Sequence, residues 1–182
     1  MLPPEVLRLA RRRFLSGERL EMSSLAAELG VNRVTLYRWV GSRERLLVEV
    51  LWSMADRAMR QVRSEVPAVP DRAVKVVVGF LECVLASPGM QHLLAADPEL
   101  TMRLLTHRAA GFQPRLLAAV EELLREETAA GRLDVPMDSH ELAYVVVRVI
   151  ESYTYLDVLL GEQPEARRAE AALHLLLGRR AR

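Results

Sequence analysis

The 182-residue chain is short of several things, and each shortage narrows what it can be. It has one cysteine, Cys83, which excludes an intramolecular disulfide and suits a reducing cytoplasm. Lysine is as scarce: Lys75 is alone, so nearly all positive charge is arginine, which reads as genomic bias rather than mechanism. Aromatic residues make up only 5%. No apolar run approaches the roughly 18–20 residues that span a bilayer, so no membrane association is expected. The N-terminus has charges close to its start and no signal-peptide pattern, and the expected location is the cytoplasm. Histidines 92, 107, 140 and 174 are scattered, with no i, i+4 pair and no cysteine cluster, so neither a metal site nor a cofactor is expected. The glycines are too far apart for a phosphate loop, and there is no nucleophile elbow. Enzyme chemistry finds no foothold.

What the chain does have is apolar content, 51%, in helical periods, with an uneven charge. Residues 1–46 hold nine arginines against five glutamates, a net +4 that leaves −3 for the remainder of a chain whose total is +1. A basic N-terminal segment on an otherwise acidic protein suits a polyanion at that end only.

Within that segment, Met22 to Leu47 reads MSSLAAELGVNRVTLYRWVGSRERLL. Leu25, Ala26 and Leu29 share one face of a short helix. Gly30 ends it, because glycine enters the left-handed conformation without a Cβ penalty. Val31 turns inward, and Asn32 is a good N-cap for a second helix, Arg33 to Trp39. Only Leu36 and Val40, four apart, are core residues there. Such a helix is too short and polar to support itself, so the fold must hold it in order to present its other face. Two short helices joined by a glycine turn, the second exposed and cationic, make a helix-turn-helix.

The stretch LAAELGVNRVTLYRWVGSRERLL resembles the DNA-binding signature of the TetR family of transcriptional regulators. The matching positions are Leu25-Ala26, Gly30-Val31, Thr35-Leu36-Tyr37, and Arg43-Glu44 with Leu46-Leu47, about the first quarter of the chain. Three positions depart from the pattern. Glu21 replaces the usual Ser or Thr cap, with Ser23 or Ser24 as substitute; Val40 replaces an aromatic; and Gly41 stands where proline or lysine is common.

A recognition helix lies in the major groove, where each base pair shows a distinct set of donors and acceptors. On the resemblance, the DNA-binding candidates are Ser23, Asn32, Arg33, Val34, Thr35, Tyr37, Arg38, Trp39 and Arg43. Arg33 is placed for base edges, Val34 for a thymine methyl, Thr35 for a base or a phosphate. Tyr37, Arg38 and Trp39 flank the helix with donors suited to phosphate oxygens, and Arg43 adds a guanidinium at the start of the fourth helix. The alternatives are that Tyr37 or Trp39 lids the small core and that Arg38 is solvated.

The first helix opens at Pro3-Pro4, carries Val6, Leu7, Ala10, Phe14 and Leu15, and closes at Gly17. Its arginines read mostly as a solvated face, with one or two in reach of phosphate. Ser42 caps a fourth helix, with Leu46, Leu47, Val50, Leu51 and Met54, running to about Val62. Pro67 and Pro70 precede a helix over about 71–86, whose valines lean towards strand without the alternation a strand needs. Pro88-Gly89 and Pro98 delimit helices over about 89–96 and 98–109. Gly111 and Pro114 precede a helix that ends at Gly131. Asp138 and Glu141 form a capping-box pair for a helix to about Leu160, apolar nearly all round from Leu142 to Leu159. One more helix, Pro164 to Leu177 and closed by Gly178, remains to cover it. A partner subunit completes the cover, two helices from each chain forming a four-helix bundle.

The expected fold is all-α: an N-terminal three-helix helix-turn-helix domain over 1–46, and a larger helical ligand-binding and dimerisation domain over 47–182. The resemblance implies a homodimer on double-stranded DNA bearing a palindromic operator, released by a small-molecule effector of unknown identity. Ligand-binding candidates are Phe80, Cys83, Met90, Met102 and Phe112, with Arg148, Glu151 and Tyr155 on the long apolar helix. For the methionines and aromatics the alternative is plain core. For Arg148 and Glu151, at i, i+3, it is an internal or intersubunit salt bridge. The rival functions are a helical interaction adaptor, an activator without a small-molecule inducer, and a small helical enzyme. For the enzyme Arg148 with Glu151 is the one candidate pair, and arginine is no base near neutral pH.

Overall fold

The computed structural model describes residues 2–156, 161–162 and 165–177. Every regular element among them is helical: α1 Pro4–Leu15, α2 Met22–Glu28, α3 Arg33–Val40, α4 Arg43–Glu65, α5 Arg72–Leu85, α6 Pro88–Ala96, α7 Pro98–Thr106, α8 Phe112–Ala129, α9 Ser139–Thr154 and α10 Ala166–Leu177. A 3-10 turn, Arg108–Ala110, joins α7 to α8. The predicted ends at Leu160, Pro164 and Gly178, and Leu159 itself, lie outside the described residues. No single helix among the described residues is long and apolar enough to cross a membrane.

Contacts gather the chain into two compact units, Met1–Met54 with Ser87–Phe112, and Ala55–Ala86 with Gln113–Arg182. The middle of α4 carries the chain from one into the other, and α8 crosses the boundary at its first residue, Phe112. The first unit thus holds more than the three N-terminal helices, and Gly89 is a reason why. A Cβ on Gly89 would stand 2.2 Å from the Phe14 carbonyl oxygen and 2.5 Å from its ring, so glycine lets the start of α6 rest directly on the end of α1. Proline opens both α6 and α7 where a missing N–H costs nothing, and Ser87 and Asp97 cap them by accepting the Met90 and Leu100 amides.

Val6, Leu9, Ala10 and Phe14 form the buried face of α1. The predicted Leu7 is half-buried and Leu15 is 47% exposed. Leu9 takes their place, since 6, 9, 10 and 14 keep a tighter helical stripe than one including 7 and 15. Leu25, Ala26, Leu36 and Val40 complete the small core, with Leu46, Leu47 and Val50 from α4. The segment predicted as a helix over 98–109 stops at Thr106, because His107 is extended (ψ 124°) before the 3-10 turn.

In the second unit α5, α9 and α10 pack on one another. The valines of α5 are buried on most sides, with Val74, Val76 and Val77 at 0% exposure, so burial overrides their strand propensity. Pro114 lies in the first turn of α8 rather than before it. Asp138 caps α9 through the His140 amide at 2.8 Å. One face of α9 stays open within the chain: Tyr144 is 45% exposed, and Leu175 on α10 is 89% exposed.

Candidate nucleic-acid interface

The helix-turn-helix is assembled from backbone conformation outward. Gly30 takes φ +69°, and the Val31 amide turns back to the Ala26 carbonyl at 3.0 Å, which closes α2. Two residues on, the Asn32 side-chain oxygen accepts the Thr35 amide at 2.7 Å and starts α3. Gly41 (φ +80°) ends α3 by donating to the Tyr37 carbonyl at 2.8 Å. Ser42 then starts α4 by accepting the Arg45 amide at 3.0 Å. Both ends of an eight-residue helix are therefore fixed by its own neighbours in sequence.

Leu36 and Val40 face inward. Outward lie Arg33, Val34, Tyr37 and Arg38, with Thr35 and Trp39 half-buried. Val34 is an apolar side chain left 77% exposed. The Arg33 guanidinium lies 5.8 Å from the centre of the Tyr37 ring, a cation–π distance that stiffens the pair without removing the charge. Ser23 is exposed on the first turn of α2, and Asn32 is engaged as the cap.

The other N-terminal arginines are not one solvated face. Arg12 and Arg13 both bond Glu28, the latter at 2.6 Å, and Arg13 also reaches the Ser24 hydroxyl at 2.7 Å. This clamps α1 to α2, the helix before the turn. Ser24, a substitute for the missing cap, thereby serves the clamp. Arg43 donates from Nε to the Leu20 carbonyl at 2.8 Å, tying the start of α4 to the α1–α2 loop.

The ligand candidates divide between the two units. Met90, Met102 and Phe112 belong to the first, where Phe112 meets Trp52 edge-on at 6.1 Å. Phe80, Cys83, Arg148, Glu151 and Tyr155 belong to the second. There Phe80 is 1% exposed, while Cys83 lies on an open groove of about 700 Å³ with Val62, Val78 and Gly79. Arg148 donates to Glu151 at 2.7 Å within α9, and its guanidinium lies 5.2 Å over the Tyr144 ring. Burial pushes the Glu151 carboxyl up to about 7 against the opposing pull of Arg148. Burial, and then the charge of Glu151, raise the Tyr155 phenol. The Arg148 Nε is buried without a hydrogen-bond partner.

Sequence reasoning passed over one charged cluster. Glu127, 1% exposed, accepts from Arg72 at 2.6 Å and from Arg132 at 2.6 and 2.9 Å. Arg132 foremost, with Arg72, holds its carboxyl below the usual range despite burial. Arg72 also donates to the Arg63 and Val66 carbonyls, so the cluster staples the end of α4, the start of α5 and the end of α8. The signal was present: Glu127 falls three and four residues after Leu124 and Leu123, on their buried face.

Residues 70–178 match the family described as tetracyclin repressor-like, C-terminal domain. The transcriptional repressor QsdR of R. erythropolis, from the TetR family, is 29% identical over 98% of this chain and 96% of its own, with a TM-score of 0.85. The TetR-family repressor AlkX from Dietzia sp., implicated in biodegradation of n-alkanes, shares the fold at 21% identity, covering 96% of this chain and 93% of its own, TM-score 0.65. So does the regulator FadR from Bacillus subtilis, solved with stearoyl-CoA, at 14% identity over 97% of this chain and 98% of its own, TM-score 0.59. No curated protein sequence matches the chain.

Proposed function

The chain belongs to the TetR family of transcriptional regulators, and from that membership we propose that it is a cytoplasmic homodimeric repressor of a palindromic operator, released by a small-molecule effector. The observation that carries the DNA-binding part is the outward face of α3. Arg33, Val34, Tyr37 and Arg38 are exposed there on a helix capped at both ends, and the apolar Val34 is left 77% exposed. Arg33 supplies a fork for guanine O6 and N7, and Val34 a methyl surface for thymine. Thr35, Tyr37, Arg38, Trp39 and the guanidinium of Arg43 serve phosphates, with Ser23 at the start of α2. Asn32 contributes by fixing the helix rather than by reading a base.

In this reading residues 1–46 read DNA, and the second unit binds the effector and pairs subunits. Tyr144 on α9 and Leu175 on α10 are the exposed side chains that a second copy would cover, two helices from each chain. The pairing places two copies of α3 in successive major grooves, about 34–36 Å apart. The same fold holds stearoyl-CoA in FadR, which supports an effector without naming this chain's own. An effector acts by preferring a dimer of altered half-site spacing, and α4, whose middle lies at the boundary of the two units, is a covalent route for the change.

Selection of duplexes from a random pool, followed by binding of the selected duplex to the purified protein, tests the reading. The expected result is an inverted repeat with half-site centres about one helical turn apart and a binding constant that falls steeply with salt. A monomer that holds every duplex equally overturns it.

A further inference from the structure

The first unit carries a second basic surface beside its recognition helix. Arg45 folds over the turn that ends α3: a Cβ on Gly41 would stand 3.4 Å from its Cδ and 3.5 Å from its Nη1. From there Arg45 lines two shallow grooves. One, of about 220 Å³, includes Trp39, Val40 and Glu49. The other, of about 610 Å³, includes Ser42 and Glu44 and is walled on its far side by Arg103, His107 and the 3-10 turn. Arg103 donates to Glu44 at 2.9 Å and so neutralises the carboxylate in the first turn of α4. Arg108 stands exposed on the 3-10 turn. Arg45 and Arg108 have no ion pair among the described residues.

We propose that Arg45, Arg103 and Arg108 form a second contact to the backbone of duplex DNA, so that the end of α7 grips phosphates beside the half-site that α3 reads. The strip is continuous with the reading helix through Arg45. Its positive charge is arginine, whose planar fork suits a phosphate, and of the two carboxylates in its grooves Glu44 is paired with Arg103. It belongs to the compact unit that carries α3, so it travels with that helix. Its grooves are shallow and its outward groups charged, which fits a polyanion that needs no apolar pocket. The inference rests on the DNA-binding reading above and extends the interface beyond the helix-turn-helix.

The test measures binding of the full chain to two duplexes, the selected inverted repeat and a random sequence of equal length, across salt concentrations. Arg108→Ala removes one phosphate contact per subunit and so is expected to lower the salt slope of the bound dimer by about 1.8, so that the wild-type advantage shrinks about 12-fold between 50 and 200 mM salt. Arg108→Glu should exceed it, and the loss should be alike on both duplexes, since phosphate carries no sequence. Glu44→Gln frees Arg103 and should steepen the slope, which gives a gain-of-binding readout that misfolding cannot mimic. Unchanged slopes in all three variants, with the wild type bound, overturn this surface and leave the α3 reading intact. So does a loss confined to the inverted repeat. A wild type that binds neither duplex overturns the α3 reading, and this surface with it.

Discussion

The side-chain oxygen of Asn32 holds the amide of Thr35 at 2.7 Å, and the helix it starts is only eight residues long. A helix of that length is marginal by itself, so its cap is a large share of what keeps it wound. Asn32→Ala is expected to lower global stability by about 1 kcal/mol. Because the frayed turn contains Arg33, Val34 and Thr35, operator affinity should fall by more than the change in melting temperature implies. Asn32→Asp or Asn32→Ser, which keep an acceptor, should restore stability. If Asn32→Ala binds like the wild type, α3 is held by packing alone.

Gly89 gives a prediction in which two principles oppose each other. Helix propensity says that Gly89→Ala in α6 stabilises by about 1 kcal/mol. The contact with Phe14 says the reverse, because the added Cβ would lie 2.2 Å from a backbone oxygen that no rotamer change can move. Overpacking of this kind costs about 1–3 kcal/mol or more, so a net loss is expected in denaturant unfolding. A net gain would mean that α6 does not rest on α1.

These two residues also mark what the sequence could tell. Gly30, Asn32, Leu36 and Val40 were legible because a short-range turn, a cap and a four-residue spacing are local matters. Pro88 and Pro98 announced helix starts for the same reason. The α1 face was misread at Leu7 and Leu15, because a helix with apolar residues on several sides has no single stripe until its neighbours are known. Nothing in the sequence near Gly89 pointed to Phe14, and Arg72 lies 55 positions from Glu127. The gathering of α6 and α7 with the N-terminal helices was illegible in the same way. The strip through Arg45, Arg103 and Arg108 depends on that gathering.

Glu127 is expected to be a costly charged residue to remove. It is buried and meets two arginines, so Glu127→Ala leaves Arg72 facing an empty acceptor while still bound to two carbonyls. Breaking a buried ionic cluster by removing one partner costs about 3–5 kcal/mol. Its lowered pKa adds a pH signature: the stability it contributes is full above the usual carboxylate range and is lost as pH falls below that range, down to the lowered pKa of the folded state. Denaturant midpoints of wild type and Glu127→Gln should therefore converge as pH drops from 6 towards 3. Parallel curves would refute the cluster's contribution.

Leu175 tests the pairing of subunits without disturbing the chain's own core. At 89% exposure it supports nothing within one chain, so Leu175→Glu should leave the helical content unchanged. Placed in an apolar interface between two copies, the same carboxylate is unpaired and desolvated, and the dimer should weaken by at least about tenfold, or 1.4 kcal/mol. Sedimentation over a concentration series reads this directly. A variant as dimeric as the wild type would place the interface elsewhere.

Glu151 carries the pH dependence near neutrality. Its carboxyl sits at about 7 in the folded chain against an ordinary 4.5, because burial outweighs the pull of Arg148. Between those values the folded state keeps a proton that the unfolded state has released, so stability must fall as pH rises through the window and level off above it. The full difference is about 3 kcal/mol. Glu127 is ionised in both states above pH 5 and leaves the window clear. His140, whose pKa Glu121 raises, adds a loss of the same sign, but equally in wild type and variant. Glu151→Gln is neutral at every pH, so its stability relative to wild type should grow from pH 5 to pH 8. Urea midpoints at those two pH values measure it. An unchanged difference would mean that Glu151 is solvated and titrates as an ordinary carboxylate, and that the charge at this point of α9 is a surface pair.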